Sequence, residues 1–135
     1  MVVFRGTGTA EGAGQARSIL EPATLSPRDL KKIELAVAFI DKHFQARISR
    51  EGLSMEVRLS TLKLQAGLQV ITGYTLSGYQ EHVRIKTARE LLTDTQLPIR
   101  TIARNIGMKT QSHFGEVFKR ITGLTPLEYR NIYGC

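Results

Sequence analysis

The sequence predicts an all-α fold: two helix-turn-helix units joined by one long linker helix, about seven helices in all. Three observations predict it. Beyond residue 26, apolar side chains recur at i, i+3, i+4 and i+7, the spacing of one helix face. Cap residues, glycines and prolines cut that pattern into short pieces. One piece also occurs twice: ITGYTLSGY at Ile71–Tyr79 and ITGLTPLEY at Ile121–Tyr129 share Ile, Thr, Gly, Thr and Tyr in register, an offset of 50.

Residues 1–25 are rich in Gly, Ala and Thr and lack periodicity, which reads as a flexible tail or linker ahead of a domain at 26–135. Within it, GTGTAEG at Gly6–Gly12 has neither GxGxxG spacing nor a following helix signal, so no phosphate loop is expected. Ser26, Pro27 and Asp29 supply an N-cap, a proline at the first helical position and an acid in the first turn. The stripe of Leu30, Ile33, Val37, Ile40 and Phe44 continues that helix. It is expected to pack on the first unit and close its core; a dimerisation or interdomain role is the alternative.

The first unit spans about 48–73. Ser49 caps a helix with Leu53 and Val57 inward, and Gly52 weakens it by about 1 kcal/mol relative to Ala. Ser60 caps TLKLQAGLQVI, the first candidate recognition helix. Thr75 opens the linker helix, about 75–92, with Leu76, Tyr79, Val83, Ala88, Leu91 and Leu92 as its apolar side. Thr93–Pro98 is a turn into the second unit, about 98–123.

There Ile99, Ile102, Ala103 and Ile106 mark one short helix, and Phe114, Val117, Phe118 and Ile121 mark the second recognition helix. Gly123 stops that helix, and Thr125-Pro126 restarts the chain. The repeat extends upstream. Leu64 and Leu68 match Phe114 and Phe118 at an offset of 50, whereas Leu53, Val57 and Arg58 match Ile102, Ile106 and Gly107 at 49. The second turn therefore holds one extra residue. Two copies of one supersecondary unit follow from such a period.

Net charge is +7; residues 1–45 hold six basic and five acidic side chains, residues 46–135 thirteen and seven. The basic excess belongs to the repeat and suits a polyanion. No run of 18 apolar residues is present, so no membrane helix is expected. Met1–Gly14 lacks the apolar core of a signal peptide. The single cysteine, Cys135, has no internal partner, which suits a reducing cytoplasm. His43, His82 and His113 show no metal-ligand spacing. No catalytic set is suggested either, so no metal, cofactor or enzyme activity is expected.

From about Ile48 to Arg130 the chain resembles the DNA-binding domain of AraC/XylS-type bacterial transcription regulators. The most specific part is A-x-x-x-G-x-x-x-x-x-x-F-x-x-x-F-K-x-x-x-G-x-T-P-x-x-Y-R, from Ala103 to Arg130. VRIKTARELL at Val83–Leu92 is similar to the family's linker helix. Met108 stands where the family usually has an aromatic, Leu68 where it has Phe, and Arg58 where Gly is common.

In a helix-turn-helix, the start of the second helix faces base edges in the major groove. The outward residues there are Thr61, Leu62, Lys63, Gln65 and Ala66 in the first unit, and Lys109, Thr110, Gln111, Ser112, His113 and Glu116 in the second. Lys63 can reach guanine, Gln65 and Gln111 adenine, Glu116 cytosine, and Leu62 or Ala66 the thymine methyl. The resemblance implies base contacts at Leu62, Gln65, Ala66, Gln111, Ser112 and Glu116; family members often carry Arg at the position of Ala66. Candidate phosphate contacts are Arg50, Arg58, Ser60, Arg84, Lys86, Arg100, Arg104, Lys109, Lys119 and Arg120; such contacts position without reading sequence.

A linker helix of about 18 residues is about 27 Å long, against about 34 Å between successive major grooves on one face of DNA. One chain could thus hold two reading heads near one turn apart, as a monomer on an asymmetric promoter site. Double-stranded DNA is the expected partner, and the resemblance implies RNA polymerase as a second, in the bacterial cytoplasm at the nucleoid. Whether a longer parent dimerises stays open. The alternative is a helical protein-interaction module that uses the scaffold without DNA; Leu62 and Ala66 on the first recognition face, with Leu68 replacing Phe, give it some support.

Overall fold

A computed structural model describes residues 24–134. The tail expected over 1–25, all but its last two residues, lies outside the described residues, as do the Gly6–Gly12 stretch and Cys135. Seven helices appear among the described residues: α1 (Pro27–His43), α2 (Arg50–Val57), α3 (Thr61–Thr72), α4 (Leu76–Asp94), α5 (Ile99–Asn105), α6 (Gln111–Thr122) and α7 (Pro126–Tyr133). They form two compact units. The first takes residues up to 42 and 48–79, the second 43–47 and 80 onward, with α4 starting in the first and continuing into the second.

In the first unit α1 opens with a reciprocal cap. The Asp29 N–H donates to Ser26 Oγ at 3.0 Å, and the Ser26 N–H donates to Asp29 Oδ2 at 3.0 Å, so two otherwise orphaned donors are satisfied. The expected closure of the core by α1 holds. Ile33, Ala36 and Ile40 are fully buried against Leu53, Val57, Leu59, Leu64 and Leu68. Ala36, absent from the predicted stripe, takes the central place that Val37 only half fills. Leu25 is buried as well. A Cβ built on Gly67 would run into the Ile33 side chain, so this glycine in mid-α3 sets how closely α1 can approach.

Ser49 and Ser60 cap α2 and α3, accepting the N–H groups of Gly52 and Lys63 at 2.9 and 3.2 Å. Between the two helices Arg58 adopts φ 58°, the only positive φ outside glycine among the described residues. That conformation costs an L-residue about 1–2 kcal/mol. The turn is pinned by Lys32 Nζ, which donates to the Arg58 carbonyl at 3.0 Å, and by the Ser54 hydroxyl, which donates to the Leu59 carbonyl.

In the second unit the matching turn position is Gly107, at φ 88°. Sequence matching of Arg58 with Gly107 is therefore a match of backbone conformation. Gln80 Nε2 donates to the carbonyls of Phe44 and Ala46 at 2.8 and 2.6 Å, and Arg84 Nε to Phe44 at 2.9 Å. These bonds hold residues 43–47 in this unit. Gln80 and Ile85 are buried positions of α4 that the apolar pattern misses, whereas Leu76, Tyr79 and Leu91 are only half-buried. Phe114, Phe118 and Tyr129 stack edge to face, centroids 5.5 and 5.3 Å apart. Ile121, expected to complete that stripe, is 40% exposed, as is its repeat partner Ile71 at 41%; both sit in the last turn of their helices, past the buried part of the face. Arg130 donates to the carbonyls of Leu92, Leu97 and Thr95 at 3.1, 2.6 and 3.3 Å, tying α7 to the end of α4 and the turn after it.

Candidate nucleic-acid interface

Each unit presents one helix whose buried side locks it in place and whose other side carries polar groups. In α6, Phe114, Val117 and Phe118 are buried, and Gln111, Ser112, His113, Glu116, Lys119 and Arg120 are exposed. At about 100° per residue, Gln111, Ser112, Glu116 and Lys119 share a face. Thr110 is the N-cap, accepting the His113 N–H at 3.0 Å, so its side chain is committed to the backbone. Lys109, the extra residue of the second turn, is exposed beside it. In α3 the buried residues are Leu64, Gly67 and Leu68. Leu62 is 47% exposed, Gln65 exposed, and Thr61, Lys63 and Ala66 half-buried.

The first-turn N–H groups of each helix have no carbonyl a turn earlier. The caps take one of them in each case, that of Lys63 and that of His113. The remaining donors at the start of α3 and α6 complement anions together with the helix dipole.

Not every predicted cation keeps its expected role. Lys63, expected to reach guanine, lies with its Nζ 3.1 Å from Asp29 Oδ2. The Asp29 carboxyl is held below its ordinary range by the Ser26 backbone N–H first and by Lys63 second. Arg84, expected on phosphate, is turned inward onto the Phe44 carbonyl. Burial pushes its guanidinium below the usual arginine value, and a group so placed is a structural tie. Arg120 pairs with Glu81 at 2.9 Å on the surface, and Arg50 reaches Glu51 only at 3.9 Å; exposed pairs of this kind contribute about 0–1 kcal/mol and break readily. Ser60, Arg58, Lys86, Arg100, Arg104, Lys109 and Lys119 are exposed.

The geometry is that of two helix-turn-helix units, and the comparisons agree. A family model described as a helix-turn-helix domain matches residues 53–132. The chain is 31% identical to the arabinose operon regulatory protein of Escherichia coli K12 over 83% of its own length and 38% of that regulator's.

The chain belongs to the AraC-type family of helix-turn-helix DNA-binding domains.

Its fold matches the C-terminal domain of AraT, a response regulator from Geobacillus stearothermophilus: 29% identity, 83% of this chain and 90% of that one, TM-score 0.72. The same fold is seen in the DNA-binding domain of AdpA, solved in complex with a target DNA, at 20% identity, 76% and 92% coverage and a TM-score of 0.70. The chain spans about a third to a half of the length of the curated relatives it matches. Among the described residues no helix is long and apolar enough to cross a membrane.

Two residues with clear roles escape sequence reasoning. Gln80 and Arg130 act through tertiary hydrogen bonds to distant carbonyls, for which no local signal exists. Asp29 was legible as a first-turn acid, but its partner Lys63 lies in another helix.

Proposed function

We propose that this AraC-type domain is the DNA-reading part of a transcription regulator. It places α3 and α6 in adjacent major grooves of a promoter site. Base edges are read by Gln111, Ser112, His113 and Glu116 from α6 and by Leu62, Gln65 and Ala66 from α3. Arg50, Arg58, Lys86, Arg100, Arg104, Lys109, Lys119 and Arg120 supply phosphate contacts. The reading is carried by one observation: two capped helices in one chain, each anchored by a buried stripe and each exposing its outer face. The work is binding, not catalysis. The expected setting is the bacterial cytoplasm, and RNA polymerase is the second partner that the family resemblance implies.

Selection from a random duplex library, then titration of the recovered site across salt, tests this. The expected site has two parts about one turn apart, and log affinity falls with log salt at a slope of about −5 or steeper, as for six or more phosphate contacts. Enrichment of no sequence would overturn the proposal.

A further inference from the structure

We propose that Asp29 is a specificity-determining residue of the first unit: it holds the Lys63 ammonium as an internal counter-ion, so that Leu62 and Ala66 read thymine methyl groups while Lys63 stays off the bases. The inference rests on the DNA-reading function proposed above and says what one half of the site contains.

The carboxylate that holds Lys63 is itself fixed. Asp29 Oδ2 accepts the Ser26 N–H at 3.0 Å and lies 3.1 Å from Lys63 Nζ, while the Asp29 N–H donates to Ser26 Oγ. The Asp29 side chain is only 11% exposed, against 40% for Lys63. This pair differs from the surface pair of Arg120 and Glu81, whose side chains are 62% and 36% exposed. Moving the ammonium to a base would leave the little-exposed Asp29 carboxylate with Ser26 as its only partner and without a counter-charge, which disfavours the move.

With Lys63 held, the outer face of α3 is exposed Leu62 and Gln65 with half-buried Ala66 beside them. Apolar side chains on a recognition helix fit the thymine C5-methyl, the one apolar group in the major-groove code. In α6 the repeat places Ser112, His113 and Glu116 where α3 has Leu62, Lys63 and Ala66. The two units are one design with two chemistries, and the first half of the site is thymine-specified.

The test uses the duplex recovered by selection and the whole chain. Uracil replaces thymine in the half facing the first unit, which removes only the methyl. Affinity is expected to fall about fourfold per contacted methyl, and Leu62→Ala should abolish the effect at the thymine that Leu62 covers. Lys63→Gln should leave affinity within about twofold and the salt slope unchanged, as for a residue that touches no phosphate or base. Asp29→Asn keeps an oxygen for the Ser26 N–H and frees Lys63; it should steepen the salt slope by about 1 and admit guanine into the first half. That change should vanish in the Lys63→Gln background. Two results overturn the inference: insensitivity to uracil, or a Lys63→Gln loss of about fivefold or more with a shallower slope. Both leave the DNA-reading function standing, because the second half would still be specified. If Asp29→Asn fails to fold by circular dichroism, the uracil and Lys63→Gln arms decide.

Discussion

Gly107→Ala is the most informative single change to the scaffold. Gly107 holds φ 88°, and a Cβ there would run into the backbone carbonyl of Gln45. Gly123 has nearly the same φ, 85°, but a Cβ there would meet nothing within 4 Å. The left-handed conformation costs an L-residue about 1–2 kcal/mol, offset by about 0.4–1 kcal/mol from the stiffer unfolded chain. That is the whole effect at Gly123, roughly 0.5–1.5 kcal/mol. At Gly107 a backbone atom must also move, and overpacking of this kind adds about 1–3 kcal/mol, for a total of about 2–4 kcal/mol. Urea unfolding followed by circular dichroism reads both variants. With a slope of about 1–3 kcal/mol per molar, Gly107→Ala should lower the midpoint by about 1–2 M and Gly123→Ala by well under half of that. Equal midpoints for the two variants would refute the argument that the Gln45 carbonyl makes glycine necessary.

Other outcomes follow from the same reasoning. Arg58→Gly should stabilise the chain by up to about 1 kcal/mol, because relief of about 1–2 kcal/mol of left-handed strain exceeds the 0.5–1 kcal/mol that glycine loses in entropy; urea titration checks it. On a selected site Gln111→Ala should cost about 1–3 kcal/mol with little change on random duplex, whereas Lys119→Ala should weaken both and reduce the salt slope by about 1 in fluorescence anisotropy. Asp29 and Glu128 have carboxyls held below their ordinary 3.8 and 4.5, by the Ser26 and Thr125 backbone N–H groups first. Their contribution is present in full above those values and is lost as pH falls through the lower folded ones; thermal melts of Asp29→Asn should therefore show a shallower decline below pH about 4 than the parent. The Tyr79 hydroxyl is pushed up to about 12, by burial first and by its 2.7 Å bond to Asp41 second. It favours folding below its ordinary value of 10.0 and ceases to do so as pH rises through the folded value, so an alkaline absorbance titration should show this tyrosinate forming late, and Tyr79→Phe should remove that late phase.

The fold was legible because its signals are local. The sequence marks Ser26, Ser49, Ser60 and Thr125 as caps, and each accepts the backbone N–H three residues on. The buried stripes of α3, α5 and α6 carry helical spacing that needs no knowledge of the partner. What stayed hidden depends on partners far away in sequence. Arg84 reads as one more surface cation until Phe44 is seen to occupy it, and Lys63 reads as a groove residue until Asp29 is found beside it. Ala36 carries only a weak apolar signal in the sequence, although it is fully buried in the core. The candidate interface was thus readable as a helix face and unreadable in its charges, since pairing is a tertiary fact.

The repeated I-T-G-x-T frame separates scaffold from reading surface. Thr72 and Thr122 each donate through Oγ1 to a carbonyl one turn back, Leu68 and Phe118, at 2.7 and 2.8 Å, and each accepts the N–H two residues on, from Tyr74 and Leu124. Gly73 and Gly123 then turn the chain at φ 79° and 85°, and Thr75 and Thr125 cap the helices that follow. Each of these shared threonines and glycines serves the backbone, and none of them lies on the exposed start of α3 or α6. The recurrence is therefore explained without DNA: it builds the same exit from each recognition helix. The positions that face outward differ instead, Leu62 against Ser112, Lys63 against His113 and Ala66 against Glu116. A protein that kept the scaffold twice only to bind polyanion would need no such difference, because phosphate contacts carry no sequence information. Two unlike faces on two like frames are what reading an asymmetric sequence requires.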